Sequence, residues 1–293
     1  MSPAASRLAL GTVQFGMSYG IANRSGQVGR DEAARIVAHA REHGMDTLDT
    51  AAAYGDSEQV LGEIGASGWR IVSKMPALEP AAEIGRWVEE CVRASLARLR
   101  VSALYGMLVH RCADLAGPRG TELFEALQRL KTLGLVERVG VSVYGPEDLD
   151  RVARRFALDL VQAPFNVFDR RLESTGWLRE LKSAGVEIHT RSAFLQGLLL
   201  LGSERRPARF ARWDGLWSAW EQWLRSHGGD PAGVCLGFVL GHTEIDRVVV
   251  GVDDAAQLAA LMRAAASAPA EPPPLSLSCD DVQLIDPSYW GRH

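Results

Sequence analysis

Apolar residues in this chain come in short runs separated by amphipathic stretches, and the two patterns alternate from end to end. Leu8–Leu10 is the first run, closed by Gly11-Thr12, which predicts a strand and its turn. From Asp31 to His43 the apolar positions Ala33, Ile36, Val37 and Ala40 recur at helical spacing, with Gly44 placed as a C-terminal stop. Met45–Leu48 is short, β-compatible and ends at Asp49, and a helix is expected from Ser57, read as its N-cap. Trp69–Lys74 predicts a third strand, Ala81–Leu99 a long amphipathic helix, and Ala103–Val109 a fourth strand ending at His110. The alternation goes on through helix Glu122–Leu133, strand Val139–Val143, helix Pro146–Phe156, strand Leu158–Gln162, helix Leu172–Ser183 and strand Val186–Thr190. A longer stretch, Leu198–His242, holds a Trp-rich helix (Trp213–Arg225) and a second helix from Asp230; strand Arg247–Val250 and helix Asp254–Ala266 follow.

Eight strands, each followed by helical pattern, predict one domain over residues 1–293: a (β/α)8 barrel of the α/β class, with a Pro-rich tail from about Pro269. A doubly wound nucleotide fold would carry G-x-G-x-x-G after the first strand, and the residues there are G-T-V-Q-F-G. The formal charge of −4 on 293 residues, with basic residues scattered apart from Arg205–Arg212, argues against a nucleic-acid surface. Cys91, Cys112, Cys235 and Cys279 form no C-x-x-C pair, which predicts free thiols, no structural zinc and a reduced compartment. No segment has signal-peptide or transmembrane character, so a cytoplasmic protein without a membrane partner is expected.

On such a barrel, chemistry belongs at the C-terminal ends of the strands. Asp49 ends strand two, Tyr54 lies in the loop beyond it, Lys74 ends strand three and His110 ends strand four. Each has an ordinary reading alone: a turn-forming Asp, a packed Tyr, a solvated Lys, a satisfied His. Their convergence on one rim favours function. A lysine ammonium beside a phenol favours phenolate, and a carboxylate keeps that lysine charged and fixed; Asp49, Lys74 and Tyr54 then form a tuned acid, with His110 orienting a carbonyl oxygen. No metal-ligand spacing accompanies them. Carbonyl reduction also needs a hydride, which no side chain donates, so a nicotinamide cofactor is implied.

The chain resembles the aldo-keto reductase family along nearly its whole length. The motifs are L-G-T at Leu10–Thr12, L-D-T-A-A-A-Y-G-D-S-E-x-x-L-G at Leu48–Gly62, Lys74, L-V-H at Leu108–His110, G-V-S at Gly140–Ser142, V-Q-A-P-F-N at Val161–Asn166 and R-S-A-F-L-Q-G-L-L at Arg191–Leu199. The resemblance implies reduction of an aldehyde or ketone, sugars included, or the reverse alcohol oxidation, with Tyr54 as proton donor and NADP(H) ahead of NAD(H). It implies that Ser142 and Gln162 hold the nicotinamide carboxamide, that Gly11 and Thr12 lie beneath the cofactor, and that the loops carrying Arg191, Ser192, Phe194 and Gly197, and Gly251, Asp253 and Gln257, hold its phosphates.

Departures are also visible. Val143 stands where the family usually has Asn, and Arg191 where an aromatic often stacks on the nicotinamide. Asp253 and Asp254 stand where basic and hydroxyl groups commonly meet a 2′-phosphate, a charge that Arg205, Arg206, Arg209 or Arg212 would have to supply instead. Phe15, Met17, Tyr289 and Trp290 are candidates for the substrate pocket or for packing. Two rivals are a nicotinamide-binding regulatory or redox-sensing barrel without significant turnover, and a Schiff-base enzyme using Lys74; an Asp49 partner opposes the second by raising the lysine pKa.

Overall fold

The computed structural model describes residues 5–79, 83–266 and 271–291. Eight parallel strands close into a barrel in sequence order: β1 (Leu8–Gly11), β2 (Thr47–Asp49), β3 (Arg70–Met75), β4 (Leu104–Val109), β5 (Val136–Ser142), β6 (Leu160–Pro164), β7 (Glu187–Arg191) and β8 (Arg247–Gly251). β1 pairs with β8 to complete the ring, Gly11 opposite Gly251. Helices pack outside, and the apolar faces read from the sequence are the ones they bury: Ala33, Ile36, Val37 and Ala40 of helix Arg30–Glu42 all lie in the core.

The expected elements form with shifted ends. Helix Ile84–Leu99 is capped by Glu83, whose carboxylate accepts from Gly85 N and Arg86 N; the expected start at Ala81 lies outside the described residues. The same holds for the first residues of the Pro-rich tail, Pro269 and Ala270. Helix Pro146–Val152 stops four residues early, because Phe156 turns in to pack on Phe124. The expected helix Leu172–Ser183 is broken by Gly176 at φ 86 into Arg171–Ser174 and Trp177–Ser183, since a left-handed residue cannot continue a helix. Ser57 is no N-cap: Asp56 holds that position, and Ser57 is buried inside the first turn of helix Ser57–Ile64.

Among the described residues no helix is long and apolar enough to cross a membrane, and all four cysteines are free thiols. Trp290 is buried and donates to Leu284 O at 3.1 Å, so it anchors the tail, whereas Tyr289 is exposed. Phe15 is fully buried in the core and is therefore packing.

Candidate active site

The loop after β2 is held by hydroxyl groups and by a close backbone approach. Thr12 donates through N and Oγ1 to Asp49 O at 3.0 and 2.9 Å, Ser57 Oγ donates to Thr12 O at 2.8 Å, and Thr50 Oγ1 lies 3.1 Å from Ser57 Oγ. A Cβ on Gly16 would meet Tyr54 O at 1.6 Å, and one on Gly55 would meet Gly16 O at 2.2 Å. Only two glycines let the short helix Val13–Gly16 press on the Tyr54 turn, and that contact fixes where the phenol emerges.

Lys74 is fully buried inside the barrel. Its Nζ donates to Asp49 Oδ1 at 2.7 Å and Thr50 O at 2.9 Å, and lies 5.0 Å from the Tyr54 ring centroid. Burial would push its pKa down, but Asp49 and Tyr54 outweigh burial and hold it above the ordinary lysine value. Asp49 takes a second bond on its other oxygen, from Gln162 Nε2 at 2.6 Å across the barrel from β6. A carboxylate accepts and an amide nitrogen donates, so this contact fixes the amide's orientation and leaves Gln162 Oε1 to other donors.

The Tyr54 and His110 rings meet edge to face, centroids 5.9 Å apart. Burial, with the Lys74 and Arg191 charges behind it, pushes His110 down to about 4, so its imidazole is neutral at physiological pH. Asp49, Tyr54, Lys74 and His110 thus converge at the C-terminal rim, where a hydrogen-bond donor, a phenol and a fixed cation face one space.

Beside them opens a cavity of about 340 Å³, within the range of small-molecule sites. Its wall includes Gly11, Thr12, Asp49, Tyr54, Arg191, Ser192, Phe194, Gly197, Gly251, Asp253 and Gln257. Ser142 and Gln162 are buried, and neither they nor Lys74 and His110 form part of that wall. The wall is shaped for close backbone approach: a Cβ on Gly251 would stand 2.6 Å from Gln14 Nε2. In the loop after β7, Ser192, Leu195 and Gln196 hold φ of 62°, 48° and 53°, a clustering of left-handed residues that marks ligand-binding loops.

Two wall residues, Tyr19 and Asn23, lie outside every motif of the sequence, and a third, Gln196, lies inside one without an assigned role. Tyr19, Asn23 and Gln196 bridge the cavity: Gln196 Nε2 donates to Tyr19 OH at 3.1 Å, Ile21 N to Gln196 O at 3.2 Å, and Asn23 Nδ2 to Asp253 Oδ1 at 3.1 Å. No pattern in the sequence pointed to this strap, because its contacts join loops 177 and 230 residues apart. The basic run does not reach the cavity: Arg205, Arg206 and Arg212 pair with Glu204, Glu221 and Asp281, and Arg209 lies over Phe210. One ring nitrogen each of His39 and His43 and a Glu42 carboxylate oxygen come within 4.8 Å of one another at the C-terminal end of helix Arg30–Glu42, away from the cavity wall.

A model of the aldo/keto reductase family matches residues 7–271. The aldo-keto reductase YhdN of Bacillus subtilis is 30% identical over 187 residues, 58% of this chain and 53% of that protein. The chloroplastic pyridoxal reductase of Arabidopsis thaliana is 33% identical over 129 residues, 39% of this chain and 35% of that protein, so the matches span about half or less of these curated relatives. The holo form of an aldo-keto reductase from Bacillus halodurans superposes with a TM-score of 0.70 at 21% identity, covering 90% of this chain and 88% of that one, and at that identity supports the fold alone.

Proposed function

The chain belongs to the aldo/keto reductase family, and from that premise we propose that it is a nicotinamide-dependent oxidoreductase that interconverts a small aldehyde or ketone and its alcohol. The observation that carries this reading is the buried Lys74–Asp49 pair set against the Tyr54 ring, with a neutral His110 edge to face with that ring. His110 donates a hydrogen bond to the carbonyl oxygen and orients it. Tyr54 gives that oxygen its proton, and the Lys74 ammonium stabilises the phenolate left behind. Asp49, held by Gln162, keeps the ammonium in place. In the oxidative direction the same phenolate takes the proton back.

A bound nicotinamide dinucleotide supplies or accepts the hydride. The cavity suits such a group: Gly11, Thr12 and Gly251 line it at the ends of β1 and β8, and the loop from Ser192 to Gly197, with its left-handed residues, lines it beyond β7. Ser142 and Gln162 would hold the carboxamide. Asp253 favours NAD(H) over NADP(H), because it lines the wall with its carboxylate held by Asn23, while Arg205, Arg206 and Arg212 of the basic run pair with other acids. A carboxylate accepts from a ribose hydroxyl and repels a 2′-phosphate.

Titrating the protein's eight tryptophans with NADH and NADPH separately tests this directly. Saturable quenching with tighter NADH binding, followed by aldehyde-dependent NADH oxidation, is the expected result. Binding without turnover of any carbonyl would favour a regulatory barrel. Absence of binding to either would remove the hydride source and turn attention to Lys74 as a Schiff-base nucleophile.

A further inference from the structure

Charge in the cavity wall is unevenly matched. Arg191 is the one cation in that wall among the described residues. The two acids of the wall are engaged elsewhere, Asp49 with Lys74 and Gln162, and Asp253 with Asn23. Asp169, whose carboxyl feels the Arg191 charge, is bound in a two-pronged pair to Arg171, with both contacts at 2.9 Å. Arg191 itself has only neutral acceptors, Val143 O at 3.0 Å and Ser192 Oγ at 3.3 Å, and lies 4.6 Å from the Tyr144 ring centroid. A guanidinium has five N–H donors in a planar fork, so more than half of its donors remain for a ligand.

The location of this free fork identifies its ligand. Arg191 ends β7 and Val143 follows the last residue of β5, so the anchored guanidinium reaches toward β5, away from β8 and the loop that carries Asp253 and Gln257. Its charge is felt by His110 and by Tyr19, which in turn senses Tyr54 and Tyr144. It therefore borders the reacting end of the site, among phenol and imidazole groups compatible with an anion. Half-buried and without an acid, a guanidinium there gains most from a planar oxyanion.

Building on the reductase reading, we propose that Arg191 determines specificity: it binds the carboxylate of an anionic aldehyde or ketone whose carbonyl oxygen sits between Tyr54 and His110. The carboxylate keeps its charge throughout. The carbonyl carbon gains the hydride, its oxygen gains the Tyr54 proton, and the cofactor is left oxidised.

The test compares two aldehydes of equal chain length, succinic semialdehyde and butanal, with the wild-type protein, Arg191→Met and Arg191→Lys. The wild type should favour the semialdehyde in kcat/KM by tenfold or more, through a lower KM. Arg191→Met should bring that ratio down to about one, the loss expected when a charge-assisted pair is removed, and Arg191→Lys should retain part of it. Glyceraldehyde 3-phosphate against glyceraldehyde is a second arm, and a preference confined to the phosphate would overturn the carboxylate assignment. The proposal also fails if the wild type turns butanal over as well as the semialdehyde, or if Arg191→Met raises the cofactor's KM and leaves the aldehyde ratio untouched; the reductase reading survives both. No turnover of any aldehyde with either cofactor would end both.

Discussion

The two mouths of the barrel handle charge in opposite ways. At the N-terminal mouth, where the strands begin, most of the described cations stand against acids, and Arg7 is held by three carbonyl oxygens, those of Leu240, His242 and Ile245, at 2.6 to 2.7 Å. Arg247 pairs with Asp46 at 3.0 Å, Arg138 with Glu187 at 3.1 Å and Lys182 with Asp246 at 2.6 Å, while Arg70 lies 3.7 Å from Asp46. Tyr105 OH accepts from Arg70 at 2.6 Å and Arg138 at 2.8 Å and donates to Glu187, which His189 contacts at 2.8 Å. At the C-terminal mouth Lys74 and Asp49 are matched to each other, but Arg191 is unmatched, His110 is held uncharged, and three of the four left-handed non-glycine residues described in the chain crowd one loop. The difference teaches that one end is built for stability and the other is kept short of satisfaction for a ligand.

Mutations at the two ends should therefore separate activity from stability. The largest effect belongs to Tyr54→Phe, which removes the proposed proton donor and should cut kcat roughly 10³-fold with cofactor affinity nearly intact; steady-state kinetics beside a fluorescence titration checks it, and retained turnover would take Tyr54 out of the acid's role. Lys74→Met comes next. It should lower kcat about 100-fold by leaving the phenol untuned, and cost roughly 3–5 kcal/mol by leaving Asp49 buried without its partner, read from urea denaturation. At the other mouth, Glu187→Gln should cost about 1–3 kcal/mol while kcat/KM stays at the wild-type value, and a matching fall in activity would mean the two ends are coupled.

The smallest effects concern pH. Burial opposes ionisation of Glu187, but hydrogen bonds from His189 and Tyr105 and the charge of Arg138 hold its carboxyl at about 2. The unfolded chain binds the extra proton first, so its contribution to stability is complete above the ordinary Glu range and is lost as pH falls toward 2. His110 works over a different window. With its pKa lowered to about 4, it is neutral in the folded protein where the unfolded chain already protonates near 6.5, so stability declines as pH drops from 6.5 toward 4. Activity, by contrast, should show no limb near pH 6.5 from His110, and a limb there in kcat/KM would mean that the imidazole is charged in the working enzyme.

The sequence by itself determined the order and kind of the eight repeating units, because period-two runs and period-3.6 faces are local properties of the chain. It also determined that Asp49, Lys74 and His110 lie within one residue of the ends of consecutive strands, since a closed parallel barrel puts strand ends on one rim whatever the loops do. Boundaries were less legible: Gly176 breaks a helix that its apolar pattern continues through, and Ser57 has a capping residue's chemistry but turns inward to Thr12. Only the tertiary structure decided the rest. Gln162 meeting Asp49 across the barrel, the bridge from Tyr19 and Asn23 to Gln196 and Asp253, the engagement of the basic run with distant acids and the isolation of Arg191 all join residues far apart in sequence. Such contacts depend on barrel closure and on where each loop comes to rest, and no local pattern of polarity encodes either.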